Sequence, residues 1–223
     1  MGLATAANLA AAGARVIIAS RSPEKLERAR RSISAPVETR VLDIRSESAV
    51  AECFQKLGAF DHLVISASDA VAGPFLEVPI PAAQEFFDSK FWGAYRVARH
   101  AAPHIAKDGS ITFFSGAASQ RGTPGLAAGS AINAALEALG RSLAVELAPI
   151  RVNTVAPGLI ATPVWNTILG EEARQAFFKD AAAKLPLKRI GTPEEVAHAV
   201  RYLIENTYTT GTVLFPDGGY LQV

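Results

Sequence analysis

Three side chains along the sequence are of types that transfer protons or bind polar ligands. Lys90 lies within FFDSKFWGA, and a lysine in such apolar surroundings has a lowered pKa. Ser115 ends the apolar run SITFFS, and Asn133 lies in an alanine-rich helical segment. Each also has a plain structural interpretation: Lys90 as a solvated helix lysine, Ser115 as a turn residue, and Asn133 as a partner of backbone groups. The three residues are therefore candidates for a site, and their meaning depends on what brings them together.

Other kinds of chemistry have little support. The histidines at 62, 100, 104 and 198 are scattered, and the pair His100 and His104 has no third ligand nearby, so we expect no metal site. A net charge of +1 predicts no basic face for nucleic acid. No apolar run approaches the ~20 residues of a membrane span, and the start has no signal-peptide pattern. We therefore expect neither nucleic acid nor a membrane as a partner, and a cytoplasmic location.

Strands and helices alternate along the chain. Short apolar runs predict strands at 15–20, 37–44, 61–67, 109–115, 150–157 and 211–219. Helices are predicted near the N-terminus and at 22–33, 46–58, 81–105, 130–148, 170–185 and 192–204. Ser22 is a candidate N-cap, and Pro23 suits the first helical position after it. The alternation indicates βαβ crossovers, and hence one α/β domain over 1–223 with a doubly wound parallel sheet.

The start of the chain does not match the usual start of such a sheet. MGLATAANLAAAGARV predicts a helix that leads directly into the strand at 15–20. A doubly wound nucleotide-binding domain begins one strand earlier, with a glycine-rich turn that holds a diphosphate at the N-terminus of the next helix. Gly2 suits the last glycine of such a turn, although a glycine there is equally typical of any helix N-cap.

The chain resembles the short-chain dehydrogenase/reductase family over essentially its whole length. The matching residues include GLATAANLAAAGARVIIASR, VLDI, FDHLVISAS, GSITFFSG, RVNTVAPG and the terminal DGG. The resemblance implies a seven-stranded parallel Rossmann sheet that binds NAD(H) or NADP(H). It aligns Met1 and Gly2 with the second half of the family's G-x-x-x-G-x-G turn. We therefore expect that the first strand is missing from this chain, and that the sequence begins at an internal methionine.

This chain differs from the family at all four positions of the family's Asn-Ser-Tyr-Lys active site. On the resemblance, the tyrosine position is Gly129 and the lysine position is Asn133. The second serine of the usual pair is Gly116, which leaves Ser115 as the first, and the asparagine position is Lys90. We expect a divergent subgroup that lacks Tyr-x-x-x-Lys. Its candidate catalytic residues are Lys90, Ser115 and Asn133.

Carbonyl reduction needs a proton donor within hydrogen-bond reach of the substrate oxygen. Gly129 has no side chain and Asn133 does not titrate, while Tyr95 lies about 140° round the helix from Lys90. Our first hypothesis is an oxidoreductase for a small carbonyl or alcohol in which Lys90 takes over part of the lost lysine's task. The alternative is a catalytically silent protein that binds the cofactor as a sensor or scaffold.

The resemblance also implies a set of cofactor-binding residues. Arg21 follows the strand at 15–20, where an acidic residue would bind a ribose 2′-hydroxyl, and an arginine suits a 2′-phosphate instead. We therefore expect NADP(H) in preference to NAD(H). Asp43 resembles an adenine-contacting residue, but it equally suits a cap for the next helix. The expected set is Gly2, Leu3, Ser20, Arg21, Asp43, Ile44, Ser66, Ala67, Ser68, Lys90, Pro157, Gly158, Ile160 and Thr162.

The partners are a small-molecule substrate and further copies of the chain. The segment 158–185 is expected to form a lid over the substrate, but its apolar, amphipathic pattern does not indicate which substrate binds. Members of the family commonly pair the helices equivalent to 81–105 and 130–148 across a two-fold axis. In this chain the second helix has a face suited to close packing, made of Ala134, Ala135, Ala138 and Leu139. A homodimer or homotetramer is therefore expected.

Overall fold

The computed structural model describes residues 1–165 and 169–223, so that part of the expected lid, at 166–168, lies outside the described residues. The strands are β1 (Val16–Ser20), β2 (Val37–Val41), β3 (Phe60–Ile65), β4 (Ile105–Phe114), β5 (Arg151–Val155) and β6 (Val213–Leu214). The helices are α1 (Gly2–Ala11), α2 (Pro23–Ser32), α3 (Glu47–Leu57), α4 (Ile80–Phe87), α5 (Gly93–Ala101), α6 (Ala127–Glu146), α7 (Glu171–Lys184) and α8 (Pro193–Glu205). Every ladder between these strands is parallel, which confirms the predicted α/β class with a parallel sheet.

The strands form two sheets. β1 pairs with β2, and β3, β4, β5 and β6 are hydrogen-bonded in that order. Within the described ranges no ladder joins β1 to β3, and the resemblance places the expected additional strand between these two. Helix α1 packs against both sheets: Ala6 and Ala10 contact the cluster around β1 and β2, and Leu9 contacts the cluster around Phe114 of β4. Apolar packing of α1 thus joins the sheets, while the missing first strand stays a prediction.

Side-chain caps begin three of the helices. The Ser22 hydroxyl accepts a hydrogen bond from the backbone N–H of Lys25 at 3.1 Å, with Pro23 as the first residue of α2, as predicted. Ser46 caps α3 in the same way, and Thr192 forms a capping box with Glu195 at the start of α8. The suggestion that Asp43 caps the helix after β2 is therefore wrong, because Ser46 fills that position.

The predicted boundaries are least accurate where an element runs into a proline or a glycine. The helix predicted to reach 105 ends at Ala101, because a 3₁₀ turn containing Pro103 follows it. Strand β4 consequently begins at Ile105 rather than 109. β6 has two residues instead of the predicted stretch 211–219, in which Gly211, Gly218 and Gly219 have positive φ angles.

Two of the three polar residues in the motif RVNTVAPG hold β5 in the core. The buried Arg151 guanidinium donates to the carbonyl oxygens of Leu203 and Ile204 at 2.6 and 2.7 Å, which satisfies the C-terminal end of α8. The Asn153 amide donates to Thr209 and accepts from the N–H of Thr212. These bonds fix the position of β5, and the loop that follows it lies at the candidate site.

Candidate functional site

The candidate residues gather where the strands end. Ser66 follows β3, Ser115 follows β4, and Pro157 lies two residues beyond β5. The segments after β4 and β5 run side by side, because the N–H of Ser115 donates to Val155 and that of Ala117 donates to Pro157, both at 2.9 Å. Ligands of parallel α/β sheets bind at this carboxyl edge.

A π-helical turn, Asp88–Trp92, separates α4 from α5 and carries Lys90. Such turns insert an extra residue into a helix and are frequent at functional sites. Gly93, which ends the turn, lies so close to Ile44 that a Cβ atom there would be 2.6 Å from its Cδ1. The glycine therefore allows this stepped helix to pack against the segment that follows β2.

Lys90 and Asn133 are in direct contact. The Lys90 ammonium donates to Oδ1 of Asn133 at 2.6 Å and lies 5.9 Å from the centre of the Phe86 ring. Burial lowers the pKa of Lys90 from 10.5 to about 8, and the negative charge of Glu137 opposes this shift. Asn133 itself is buried on α6. The structure thus brings together two of the three candidate catalytic residues, and the interpretation of Lys90 as a solvated helix lysine is wrong.

Two glycines shape the space around Asn133. A Cβ atom at Gly116 would lie 2.9 Å from Nδ2 of Asn133, which is too close without a shift of the amide. A Cβ atom at Gly129 would meet only the Phe86 ring, at 3.6 Å, an ordinary contact. The Asn133 side chain therefore depends on a glycine at 116, whereas position 129 has room for the first atom of a side chain.

Ser115, the third candidate, is joined to a residue that the sequence reasoning missed. Its hydroxyl donates to Oε1 of Glu137 at 2.9 Å, and both residues are buried. Ser119 donates to the same oxygen, and the Gln120 amide donates to Oε2 at 2.8 Å. A signal for Glu137 was present in the sequence, because it lies four residues after Asn133 and hence on the same helix face.

The start of α1 meets the end of β3. Gly2 is the first residue of α1, and a Cβ atom there would collide with the Ser66 hydroxyl. Met1, at the N-cap position, makes no side-chain cap hydrogen bond, so the helix end leaves its first N–H groups for other acceptors. Leu3, Ser66, Ala67 and Ser68 are exposed beside this end. A backbone this close to an uncapped helix N-terminus has the features of a diphosphate site.

Two arginine–aspartate pairs lie beyond the ends of β1 and β2. Arg21 Nη2 lies 2.8 Å from Oδ1 of Asp69, with both side chains about half exposed. Asp43 accepts from the backbone N–H of Arg45 at 3.0 Å and lies 3.4 Å from its Nε. Partial burial acts to raise the pKa of Asp43, but the contacts with Arg45 together outweigh it, so the pKa is lowered. The sequence reasoning named Arg21 and Asp43 but not their partners Asp69 and Arg45.

The remaining expected cofactor residues differ in exposure. The Ile160 side chain is buried in the cluster with Val155 and Phe114, so that only its backbone is offered to a ligand. A Cβ atom at Gly158 would lie 2.8 Å from Cα of Asp217, which brings the DGG motif against this loop. Pro157 is buried, whereas Ser20, Ile44 and Thr162 are half-buried.

Residues 1–165 and 169–223 contain neither a cluster of metal ligands nor a membrane-spanning helix. Within these ranges no three His, Cys, Asp or Glu side chains come together as metal ligands. None of the helices described there combines the length and the apolar character needed to cross a bilayer.

Comparisons with known proteins agree with this architecture. Residues 1–221 match the family model described as enoyl-(acyl carrier protein) reductase. The chain is 31% identical to D-erythrulose reductase of Gallus gallus, over 99% of this chain and 91% of the relative. It is 32% identical to L-xylulose reductase of Mus musculus, over 99% and 92%. A solved small-chain dehydrogenase in complex with NADPH is 36% identical, with a TM-score of 0.82, over 94% of this chain and 99% of that one.

The lowered pKa of Lys90 makes stability depend on pH. Between about pH 8 and the ordinary lysine value, the unfolded chain binds more protons at this residue than the folded chain does, so stability rises with pH. Relative to Lys90→Met, we expect the wild-type free energy of unfolding to increase by up to about 3 kcal/mol from pH 7.5 to pH 10.5. Urea unfolding of both proteins across this range measures the difference.

Lys107→Met, at an exposed position, controls for the loss of one lysine. A difference between wild type and Lys90→Met that stays constant from pH 7.5 to 10.5 would contradict the assigned burial of the Lys90 ammonium.

Proposed function

The chain belongs to the short-chain dehydrogenase/reductase family, and on that basis we propose that it is an NADP(H)-dependent oxidoreductase with an atypical active site, which interconverts a small carbonyl compound and its alcohol. The observation that carries this proposal is the contact between Lys90 and Asn133 at the carboxyl edge of the sheet. Two relatives are reductases of erythrulose and xylulose by name, which supports a small carbonyl substrate.

The residues at the carboxyl edge suit a dinucleotide. The uncapped start of α1 at Gly2 would hold the diphosphate, and Ser66 to Ser68, together with the loop from Pro157 to Thr162, would line the path to the nicotinamide. The adenosine would lie near Asp43 and Ile44. A bound NADPH supplies the hydride for the reaction. The solved relative in complex with NADPH supports this assignment of the cofactor.

We propose the preference for NADP(H) because two arginines, Arg21 and Arg45, lie near the same corner of the candidate site. Arg21 is bound to Asp69 in an exposed ion pair, and such pairs contribute little to stability. A 2′-phosphate offers the guanidinium a stronger acceptor than a single carboxylate does. Exchange of Asp69 for the phosphate therefore costs little, and Arg45 places a second positive charge at the same corner.

Replacing Arg21 tests this preference. We expect Arg21→Ala to weaken NADPH binding about 10- to 100-fold, the usual worth of hydrogen bonds to a charged group, and to leave NADH binding nearly unchanged. Arg15→Ala is the matched control, because Arg15 precedes β1 at the opposite end and pairs with Glu38 at 2.9 Å. Titration calorimetry with both nucleotides measures the affinities, and equal losses for NADPH and NADH would refute the role of Arg21.

In this proposal Lys90 is the proton donor. Its ammonium has three N–H groups, one of which is bound to Asn133, and the others are free to donate to a carbonyl oxygen. The ammonium would stabilise the negative charge that develops on the carbonyl oxygen during reduction, and it would give that oxygen a proton. The neutral amine then regains a proton from water. A pKa of about 8 makes this ammonium a stronger acid than an ordinary lysine, which suits proton transfer near neutral pH.

Lys90→Met keeps much of the side-chain bulk and removes the proton. With a panel of small ketones and aldehydes and NADPH, we expect the wild type to turn over at least one compound. The variant should be about 10²- to 10⁴-fold slower. Its thermal midpoint at pH 7 should not fall below the wild-type value, because methionine removes a charge that is costly to bury. Lys107→Met is the control. If NADPH binds to the wild type but no compound is reduced, the result favours the alternative function, a catalytically silent sensor or scaffold that binds the cofactor.

For the quaternary structure we propose a homodimer or homotetramer built on α5 and α6. Aromatic rings along the stepped helix contact one another, and Trp92 and Tyr95 remain 46% and 36% exposed. On α6 the small side chains of Ala134 and Ala138 are exposed as well. Exposed rings on one element and small exposed residues on another suit close helix packing between copies.

Light scattering at micromolar concentration should return two or four times the monomer mass. Trp92→Glu places a charge in the proposed interface, so we expect this variant to dissociate. Tyr208→Glu, at a fully exposed position, is the control and should keep the wild-type mass. A wild-type protein with the monomer mass would overturn the proposed assembly.

A further inference from the structure

Glu137 is a buried carboxylate with no role so far. It is not one of the family's four active-site positions, and it takes no part in the proposed reaction. Its side chain is 1% exposed, on the face of α6 that also carries Asn133. Burial of a carboxylate is costly unless hydrogen bonds replace its lost water. Among the described residues, the donors to this carboxylate lie on the segment after β4: Ser115, Ser119 and Gln120. Three donors of one segment therefore bind a single side chain.

The direction of the bond from Ser115 follows from the groups involved. A serine hydroxyl has one hydrogen and two lone pairs, while an ionised carboxylate only accepts. The hydrogen of Ser115 must therefore point at Glu137, which leaves only its lone pairs for any other partner. The family's serine polarises a substrate carbonyl by donating to it. Ser115 cannot do so while its hydrogen is held by Glu137, and it offers an acceptor instead.

Glu137 also acts on Lys90 through its charge. Burial lowers the pKa of Lys90, and the nearby carboxylate of Glu137 raises it again. The other acidic groups near this corner have partners of their own. Asp88, on the π-helical turn, pairs with Arg96 at 2.8 Å, and Asp69, after β3, pairs with Arg21. Glu137, on α6, is thus the charge that favours the ammonium form of Lys90.

We propose that Glu137 is a positioning residue that fixes Ser115 as a hydrogen-bond acceptor and holds Lys90 as a protonated donor, so that the site selects carbonyl substrates with a hydroxyl group on the neighbouring carbon. The carbonyl oxygen accepts from Lys90, and the neighbouring hydroxyl donates to Ser115. This selectivity rests on the proposed oxidoreductase function. The effect of Glu137 on Lys90 is a property of the protein alone and is testable without turnover.

The first test measures Lys90 directly. The intact protein is acetylated briefly with acetic anhydride over a range of pH, and modification of Lys90 is quantified by mass spectrometry, because only the neutral amine reacts. In Glu137→Gln we expect the midpoint of the labelling curve to fall by about one pH unit, a tenfold change in proton affinity. Glu137→Asp, which keeps the charge, should return the midpoint toward the wild-type value.

Glu146→Gln is the control, because Glu146 is an exposed residue at the end of the same helix, and it should leave the midpoint unchanged. Circular dichroism establishes that each variant is folded. Should Glu137→Gln fail to fold, the comparison of Glu137→Asp with Ser115→Ala serves instead. Ser115→Ala keeps the carboxylate and should keep the midpoint, whereas the displaced carboxylate in Glu137→Asp should still alter it by a measurable fraction of a unit. An unchanged midpoint in the folded Glu137 variants would overturn the role of Glu137.

The second test compares hydroxyacetone with acetone in the presence of NADPH. The hydroxyl group also changes the reactivity of the carbonyl, so one ratio is not enough. For each protein, kcat/KM for hydroxyacetone is divided by kcat/KM for acetone. The informative quotient is this ratio in wild type divided by the ratio in Ser115→Ala. We expect this quotient to be about 3 to 10, the usual worth of one neutral hydrogen bond. In Glu137→Gln the quotient should fall. The glutamine amide can donate to the Ser115 oxygen, and the Ser115 hydrogen is then no longer held by a carboxylate.

A quotient of one would overturn the assignment of Ser115 as an acceptor. If neither ketone is reduced by any of these proteins, nor any other compound of the panel, the proposed function fails. The labelling result then still confirms or overturns the action of Glu137 on Lys90, so the two failures are distinguishable.

Discussion

Burial of the Glu137 carboxylate is the constraint on which the arrangement of this site depends. A charged group in the core is tolerated only when donors replace its water, and removal of one donor leaves an uncompensated charge. The three donors lie on the segment after β4, so that segment must run along α6. The same carboxylate favours the charged form of Lys90 on the stepped helix. One side chain thus relates the end of β4, a face of α6 and the π-helical turn.

The residues that we propose in place of the family's four active-site residues are physically consistent with one another. An asparagine at 133 requires the space that Gly116 leaves, because a Cβ atom there would press on its amide. Asn133 in turn offers Oδ1 to the ammonium of Lys90, and in residues 1–165 and 169–223 this is the hydrogen-bond acceptor that the ammonium has. A change at one of these positions therefore alters what the others contact, and the set is best understood as one unit.

The two ends of the candidate site differ in how firmly they are held. Near Lys90 the polar groups are buried or half-buried and bonded to each other, so a substrate meets groups with fixed directions. Beyond β1 and β2 the arginines and aspartates form exposed pairs, which are weak and screened by salt. Such pairs exchange partners readily. The chemistry that we propose therefore lies at the rigid end, whereas the end proposed for the adenosine has side chains that are able to change partners.

The sequence by itself determined the alternation of strands and helices, the cap at Ser22 and the place of Lys90 as a candidate, because periodicity, caps and apolar neighbours are local properties of the chain. Asn133 became a candidate through the resemblance to the family. Only the tertiary structure decided that Lys90 contacts Asn133, 43 residues away, that Ser115 is bound to Glu137, 22 residues away, and that Arg21 pairs with Asp69, 48 residues away. It also decided where β4 begins and that the strands divide into two sheets. A pattern along the chain reports which face a residue occupies. Which side chain it meets there depends on how separate elements pack, and so does the direction of each hydrogen bond.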